Sequence, residues 1–180
     1  MVTGATFVDE VTQAGTYAYT VLAYDDAGAP PSTASAQAEV SPWLGADDLA
    51  VAFEELVPGE PGPGGWGDAT CEIGTPNDTS TANAAITCDH PSGIYIEFLQ
   101  YPDSEALDAR IELLDSLADP EGFRSTDRDG WYRQSPADAN PVWEAWGFVE
   151  ADRRLMEIYI QWEGHTIADL DTTWFFAAPW

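Results

Sequence analysis

The chain has 180 residues, 44% hydrophobic and 12% aromatic, with 32 acidic side chains against 6 basic ones, for a formal charge of -26 at pH 7. That length and apolar content suffice for one ordinary domain, or one and a half small ones, around a buried core. Eight Trp, seven Tyr and seven Phe exclude a disordered acidic tail, and so negative a surface excludes nucleic-acid and anionic-membrane partners.

All six basic residues are Arg and there is no Lys, while Asp and Glu are dispersed along the whole chain. Dispersed acid of this kind reads as halophilic: at molar ionic strength the Debye length falls to roughly 3 Å and self-repulsion is screened. A high-GC genome that replaces Lys with Arg is the alternative source. No apolar run reaches the roughly 18 residues of a membrane span, and Met1-Val2-Thr3-Gly4 has neither a basic nor an apolar leader segment.

In chain order, Thr6-Phe7-Val8-Asp9 precedes a Gly15-Thr16 turn. Tyr17, Tyr19, Val21 and Ala23 then alternate with Ala18, Thr20, Leu22 and Tyr24, which predicts a strand with one buried face. Asp25 to Pro31 is a turn by composition, and Ser32 to Val40 a second strand, completing a hairpin. The pattern Phe7-x-Asp9, Gly15-Thr16-Tyr17-Ala18-Tyr19-Thr20-Val21-x-Ala23 and Asp26-x-Gly28 resembles the last three strands of a fibronectin type III domain. The resemblance implies that Tyr17 is a tyrosine corner, bonding upstream backbone through its hydroxyl. It covers residues 1–40 and lacks the earlier strands, so Met1 is expected to be an internal start with upstream polypeptide missing.

From residue 41 the pattern becomes mixed. Leu49, Phe53 and Leu56 fall at helical spacing behind Asp47 and Asp48, and Pro58 to Gly65 ends that helix in an irregular loop. Cys71 and Cys88 are the only cysteines, enclosing a polar loop between two predicted strands. A disulfide, which would contribute roughly 3 kcal/mol and needs an oxidising compartment, is the favoured reading, with two buried thiols as the alternative. Ile94, Ile96 and Phe98 alternate with Tyr95, Glu97 and Leu99 in a third strand. A helix follows Tyr101-Pro102-Asp103-Ser104, with Leu107, Ile111 and Leu114 as its apolar stripe. Strands are then predicted at Trp131–Arg133, Val142–Val149 and Arg154–Trp162, and a last helix carries Ile167, Leu170 and Trp174. The fold class is α+β: an antiparallel sheet with helices packed on one face, built from a duplicated β-β-β-α unit and preceded by a partial all-β hairpin.

This second part, residues 41–180, resembles the extracellular C-terminal domains of membrane-anchored actinobacterial serine/threonine protein kinases. The shared features are the helix ending at Leu56-Val57-Pro58, the first Cys behind a Gly/Pro-rich loop, Ala84-Ala85-Ile86-Thr87-Cys88, and Tyr101-Pro102-Asp103-x-x-Ala106-Leu107. The resemblance implies an extracellular sensor domain. No kinase motif and no Gly-x-Ser-x-Gly elbow occurs in the chain itself.

Catalytic chemistry is not legible. His90 and His165 read as surface histidines without a Ser or Cys nucleophile nearby. No zinc-ligand spacing is present. Asp127-Arg128-Asp129-Gly130 lacks the spacing of an EF-hand calcium loop and reads as a turn. No cofactor or metal is expected, and no enzyme. Trp162 and Trp174 fit the core by periodicity. Trp143 and Trp146 differ in strand parity, so one of them, with Trp66 in its loop, is the candidate for ligand contact. The expectation is a non-enzymatic, extracellular ligand-recognition or sensor module, a fragment of a larger cell-surface protein that takes a small-molecule, glycan or protein ligand and makes no membrane contact through this segment. The alternative is an accessory carbohydrate-binding or spacer region of a secreted polysaccharide hydrolase.

Overall fold

The structure is a computed structural model that describes residues 9, 11, 13–23, 32–76, 81–120 and 130–179. It divides the chain into two units, Met1–Leu44 and Gly45–Trp180. The sequence places the boundary at residue 40.

In the first unit β1 (Gly15–Ala23) pairs antiparallel with β2 (Ser32–Val40), Gly15 opposite Val40 and Ala23 opposite Ser32. The Tyr17 hydroxyl donates to the Gln13 carbonyl at 2.8 Å, and the Tyr19 hydroxyl to Asp9 Oδ2 at 3.0 Å. The buried face expected for β1 is formed only in part among the described residues: Tyr17 and Tyr19 are half-buried, while Val21 on the same face is 66% exposed. Burial of a strand face needs a second layer, and the described residues of this unit contain only the two-stranded ribbon. Phe7 and the turn at Asp26 and Gly28, which carry part of the fibronectin resemblance, lie outside the described residues.

The second unit is a mixed fold built on one antiparallel sheet. Asp47 and Asp48 open α1 (Asp47–Ala52), whose Leu49 is fully buried. The Pro/Gly loop, expected to be irregular, contributes a two-residue edge strand β3 (Gly62–Pro63), because Gly62 and Pro63 pair with Cys71 and Thr70 of β4 (Thr70–Gly74). Then come β5 (Ala84–Asp89), β6 (Tyr95–Gln100) and α2 (Ser104–Leu117). Asp103 caps α2 by accepting from the Ala106 N–H at 2.9 Å, as a short carboxylate at an N-cap does. The chain continues through β7 (Tyr132–Gln134), β8 (Val142–Gly147) and β9 (Met156–Trp162). A capping box between Thr166 and Asp169 starts α3 (Ile167–Leu170), which runs on as a π-helical turn through Phe175.

The strand order is β3-β4-β5-β6-β9-β8-β7, every described neighbour antiparallel. Two meanders therefore meet at the centre, where β6 lies against β9. Ile86, Phe98, Ile158 and Trp146 are register partners and share one face. Phe53, just past α1, packs on Phe98 at 4.9 Å, and Trp174 packs edge-on to Trp146 at 5.5 Å. On the opposite face Leu107 of α2 packs with Ala85 and Leu99.

This corrects the expectation of helices on one face. α1 and α3 cover one side and α2 the other, because β6 and β9 carry residues that must be buried on both. The helices that follow the two three-strand segments lie on different faces, α2 against Leu99 and the turn after α3 against Trp146.

Candidate functional site

The two faces of the sheet differ in chemistry. Beneath α1 and α3 the strands present Ile96, Phe98, Ile158, Ile160 and Trp146, all buried, together with the buried Glu144, whose Oε1 accepts from the Tyr132 hydroxyl. Beneath α2 the same strands present Tyr95 and Glu97 from β6, Tyr159 and Gln161 from β9, and Trp143 from β8. Register sets Glu97 opposite Tyr159, and Gln161 between Tyr95 and Trp143.

One polar cluster there is closed on itself. Glu157 is 0% and Arg110 6% exposed. Arg110 Nε donates to both Glu157 oxygens at 3.3 and 3.2 Å and Nη2 to Oε1 at 3.0 Å, while the Tyr101 hydroxyl donates to Oε2 at 2.5 Å. Charge-assisted bonds in this fork geometry offset the desolvation that burial imposes. Burial alone would lower the guanidinium pKa, but Glu157 pulls it above its ordinary value. Burial and the Glu157 charge push the Tyr101 phenol up.

Glu97 is different. It is 3% exposed, and among the described residues its carboxylate makes no hydrogen bond or ion pair. Burial holds its pKa above the ordinary carboxylate value; Arg110 opposes that shift and Glu157 adds to it. It points into a cleft of about 380 Å³ between α2 and the sheet. The floor of the cleft is Tyr95, Tyr159, Trp143 and Gln161. Its roof is Leu113, Leu114 and Leu117 of α2, with Arg110 at the side. The Trp143 and Tyr159 rings stack at 6.0 Å with 27° between planes, and the Arg110 guanidinium sits 5.5 Å from the Tyr159 ring centre. Burial first, and neighbouring carboxylates after it, push the Tyr95 phenol up to about 12. Burial likewise pushes Tyr159 up to about 12, against the pull of Arg110. A larger cleft of about 520 Å³ beside Asp48 and Asp152 holds no buried unpartnered group.

The sequence-selected tryptophans are not brought together. Trp143 is half-buried and lines the Glu97 cleft. Trp146 points to the other face, 3% exposed against Trp174 and Phe175, which corrects its selection as a ligand contact: its parity places it in the core. Trp66 lies on that same side, stacked on His90 at 5.8 Å and edge-on to Trp174 at 5.9 Å. Cys71 and Cys88 are directly opposite on β4 and β5 with Cα atoms 4.1 Å apart, and they form the disulfide.

His90 lies part-exposed in the turn after β5. Its Nδ1 lies 2.7 Å from Ser92 Oγ and accepts from the Ser92 N–H at 3.1 Å. This is a local cap, with burial lowering the imidazole pKa. No group of three His, Cys, Asp or Glu side chains converges as a metal site among the described residues, and Asp127 and Asp129 lie outside them. No described helix is long and apolar enough to cross a membrane.

No protein-family model, curated protein or solved structure matches this chain.

Glu97, Glu157 and Arg110 were not selected from sequence. In a half-solvated antiparallel sheet, the polar residues of an alternating strand face water, and α2 covers that face here. The available signal was Arg110, which falls between Leu107 and Leu114 on the buried stripe of α2.

Proposed function

We propose that the second unit is a non-enzymatic ligand-recognition or sensor module acting outside the cell, carried by a larger cell-surface protein such as a receptor kinase. The observation behind this reading is the cleft under α2, where an unpartnered buried carboxylate and stacked aromatic rings converge. A buried charge without a partner costs stability, and such costs persist where a side chain serves a ligand. The Cys71–Cys88 disulfide supports an oxidising compartment.

A thermal-shift screen of small organic cations, neutral oligosaccharides and short peptides tests the reading. A ligand held at about 100 times its Kd adds roughly 2.7 kcal/mol and raises the melting temperature by several degrees. At least one class is expected to do so, with the shift lost in Trp143→Ala. No shift from any class, or chemical conversion of the ligand that does bind, overturns it.

A further inference from the structure

We infer that the cleft takes an organic monocation: an amine or quaternary ammonium group set against Glu97, carried on an apolar or aromatic body that lies on Trp143 and Tyr159 beneath the α2 leucines. The inference rests on the ligand-recognition reading and specifies its ligand. Charge decides the class. Arg110 and Glu157 neutralise each other through three guanidinium contacts. Glu97 is thus the uncompensated charge of the cleft, and an occupant that matches it carries one positive charge.

The walls decide the body. Aromatic faces are negative and attract cations within about 6 Å of the ring centre, and desolvation strengthens that attraction. Trp143 and Tyr159 lie with their planes 27° apart and form a continuous π surface beside the carboxylate. Leu113, Leu114 and Leu117 leave the roof without polar atoms, so a polyol would lose hydrogen bonds to water on that side. An anion is opposed by Glu97 and by a chain of charge -26. A cleft of about 380 Å³ suits a single-ring amine rather than a folded peptide.

The test is a nuclear magnetic resonance titration of the full ¹⁵N-labelled chain, read at the Trp143 indole N–H, which Trp143→Phe assigns. The probes are phenethylamine and benzyltrimethylammonium, with 2-phenylethanol and phenylacetate as neutral and anionic counterparts and cellotriose as the glycan arm. Titrations run in about 1 M sodium chloride, where attraction to the acidic surface is screened and a buried pair is not. Both cations are expected to shift the Trp143 signal saturably, and the uncharged and anionic counterparts to bind at least about tenfold more weakly. Glu97→Gln, which keeps the shape and removes the charge, is expected to erase that preference while the spectrum stays folded.

Equal binding of phenethylamine and phenylethanol, or unchanged cation affinity in Glu97→Gln, overturns the inference. Saturable cellotriose binding at Trp143 without cation binding overturns the cation assignment and leaves the ligand-recognition reading standing. Silence from every probe at Trp143 overturns the inference, and the broader thermal-shift screen then decides the reading itself.

Discussion

Replacing Arg110 by Met removes one member of the buried Tyr101–Arg110–Glu157 cluster while keeping a long apolar side chain between Leu107 and Leu114. The Glu157 carboxylate, 0% exposed, then retains only the Tyr101 hydroxyl. Stranding one charge of a buried pair costs about 3–5 kcal/mol. For a unit running from Gly45 to Trp180, roughly 4 °C of melting temperature corresponds to 1 kcal/mol, so a drop of roughly 12–20 °C is expected by calorimetry. Arg110→Lys keeps the charge but not the fork and is expected to recover only part of it. The combined Arg110→Met, Glu157→Leu and Tyr101→Phe variant removes all three polar groups and is expected to be more stable than Arg110→Met alone. If Arg110→Met costs under about 1 kcal/mol, or the triple variant melts no higher than the single one, the stranded carboxylate is not the source of the loss.

Glu97→Gln is expected to stabilise the chain at neutral pH. The folded-state pKa of Glu97 is raised, so its contribution to stability is fully present below the unfolded value near 4.5 and is lost as pH rises through the folded value. Urea midpoints of the two proteins should converge as pH falls towards 4.5 and separate above it; parallel curves would show that Glu97 is solvated. Reducing Cys71–Cys88, a crosslink spanning 17 positions, is expected to cost about 3 kcal/mol, read as a lower urea midpoint with added dithiothreitol. Gly147→Ala would drive a Cβ into the Trp131 indole nitrogen, and a loss of about 1–3 kcal/mol is expected in urea unfolding; a neutral result would place Trp131 elsewhere. Raising sodium chloride from about 0.1 to 1 M shortens the Debye length from roughly 10 to 3 Å and is expected to raise the melting temperature, since the surface repels itself.

Periodicity located most of the second unit. Ile94 to Leu99 alternates and forms β6, and Met156, Ile158, Ile160 and Trp162 share one face of β9. The disulfide was legible because two cysteines flanked a polar loop between strand patterns, and they prove to be register partners. What periodicity does not encode is which face a helix covers. The polar residues of β6 and β9 carry the same alternation whether water or α2 lies over them, so Glu97 and Glu157 looked like surface in a chain with 32 acids. The hairpin of the first unit departs in the opposite sense: Val21 falls on the face that alternation marks as buried and is 66% exposed, because burial depends on a second layer that local pattern does not supply. Trp143 and Trp146 show the gain from parity. It separated them correctly, and only the helix placement says which one meets the cleft.

The contrast between the two faces of one sheet carries the functional argument. Beneath α1 and α3 the strands bury mainly aliphatic and aromatic groups, with Phe53 on Phe98 and Trp174 on Trp146, and a single described strand carboxylate, Glu144, which accepts from the Tyr132 hydroxyl at 2.6 Å. Between α2 and the same strands lie two buried carboxylates, Glu97 and Glu157, the Arg110 guanidinium of α2 and the buried Tyr101, an arrangement that apolar residues of equal volume would match or exceed in stability. Within that layer Glu157 is fully bonded and Glu97 is not, so the polar face divides into a structural half and an unsatisfied half. The closed half holds α2 at a fixed height over the sheet. That spacing keeps the neighbouring cleft open over Trp143 and Tyr159, and any variant that collapses the Arg110–Glu157 cluster should therefore weaken ligand binding as well as folding.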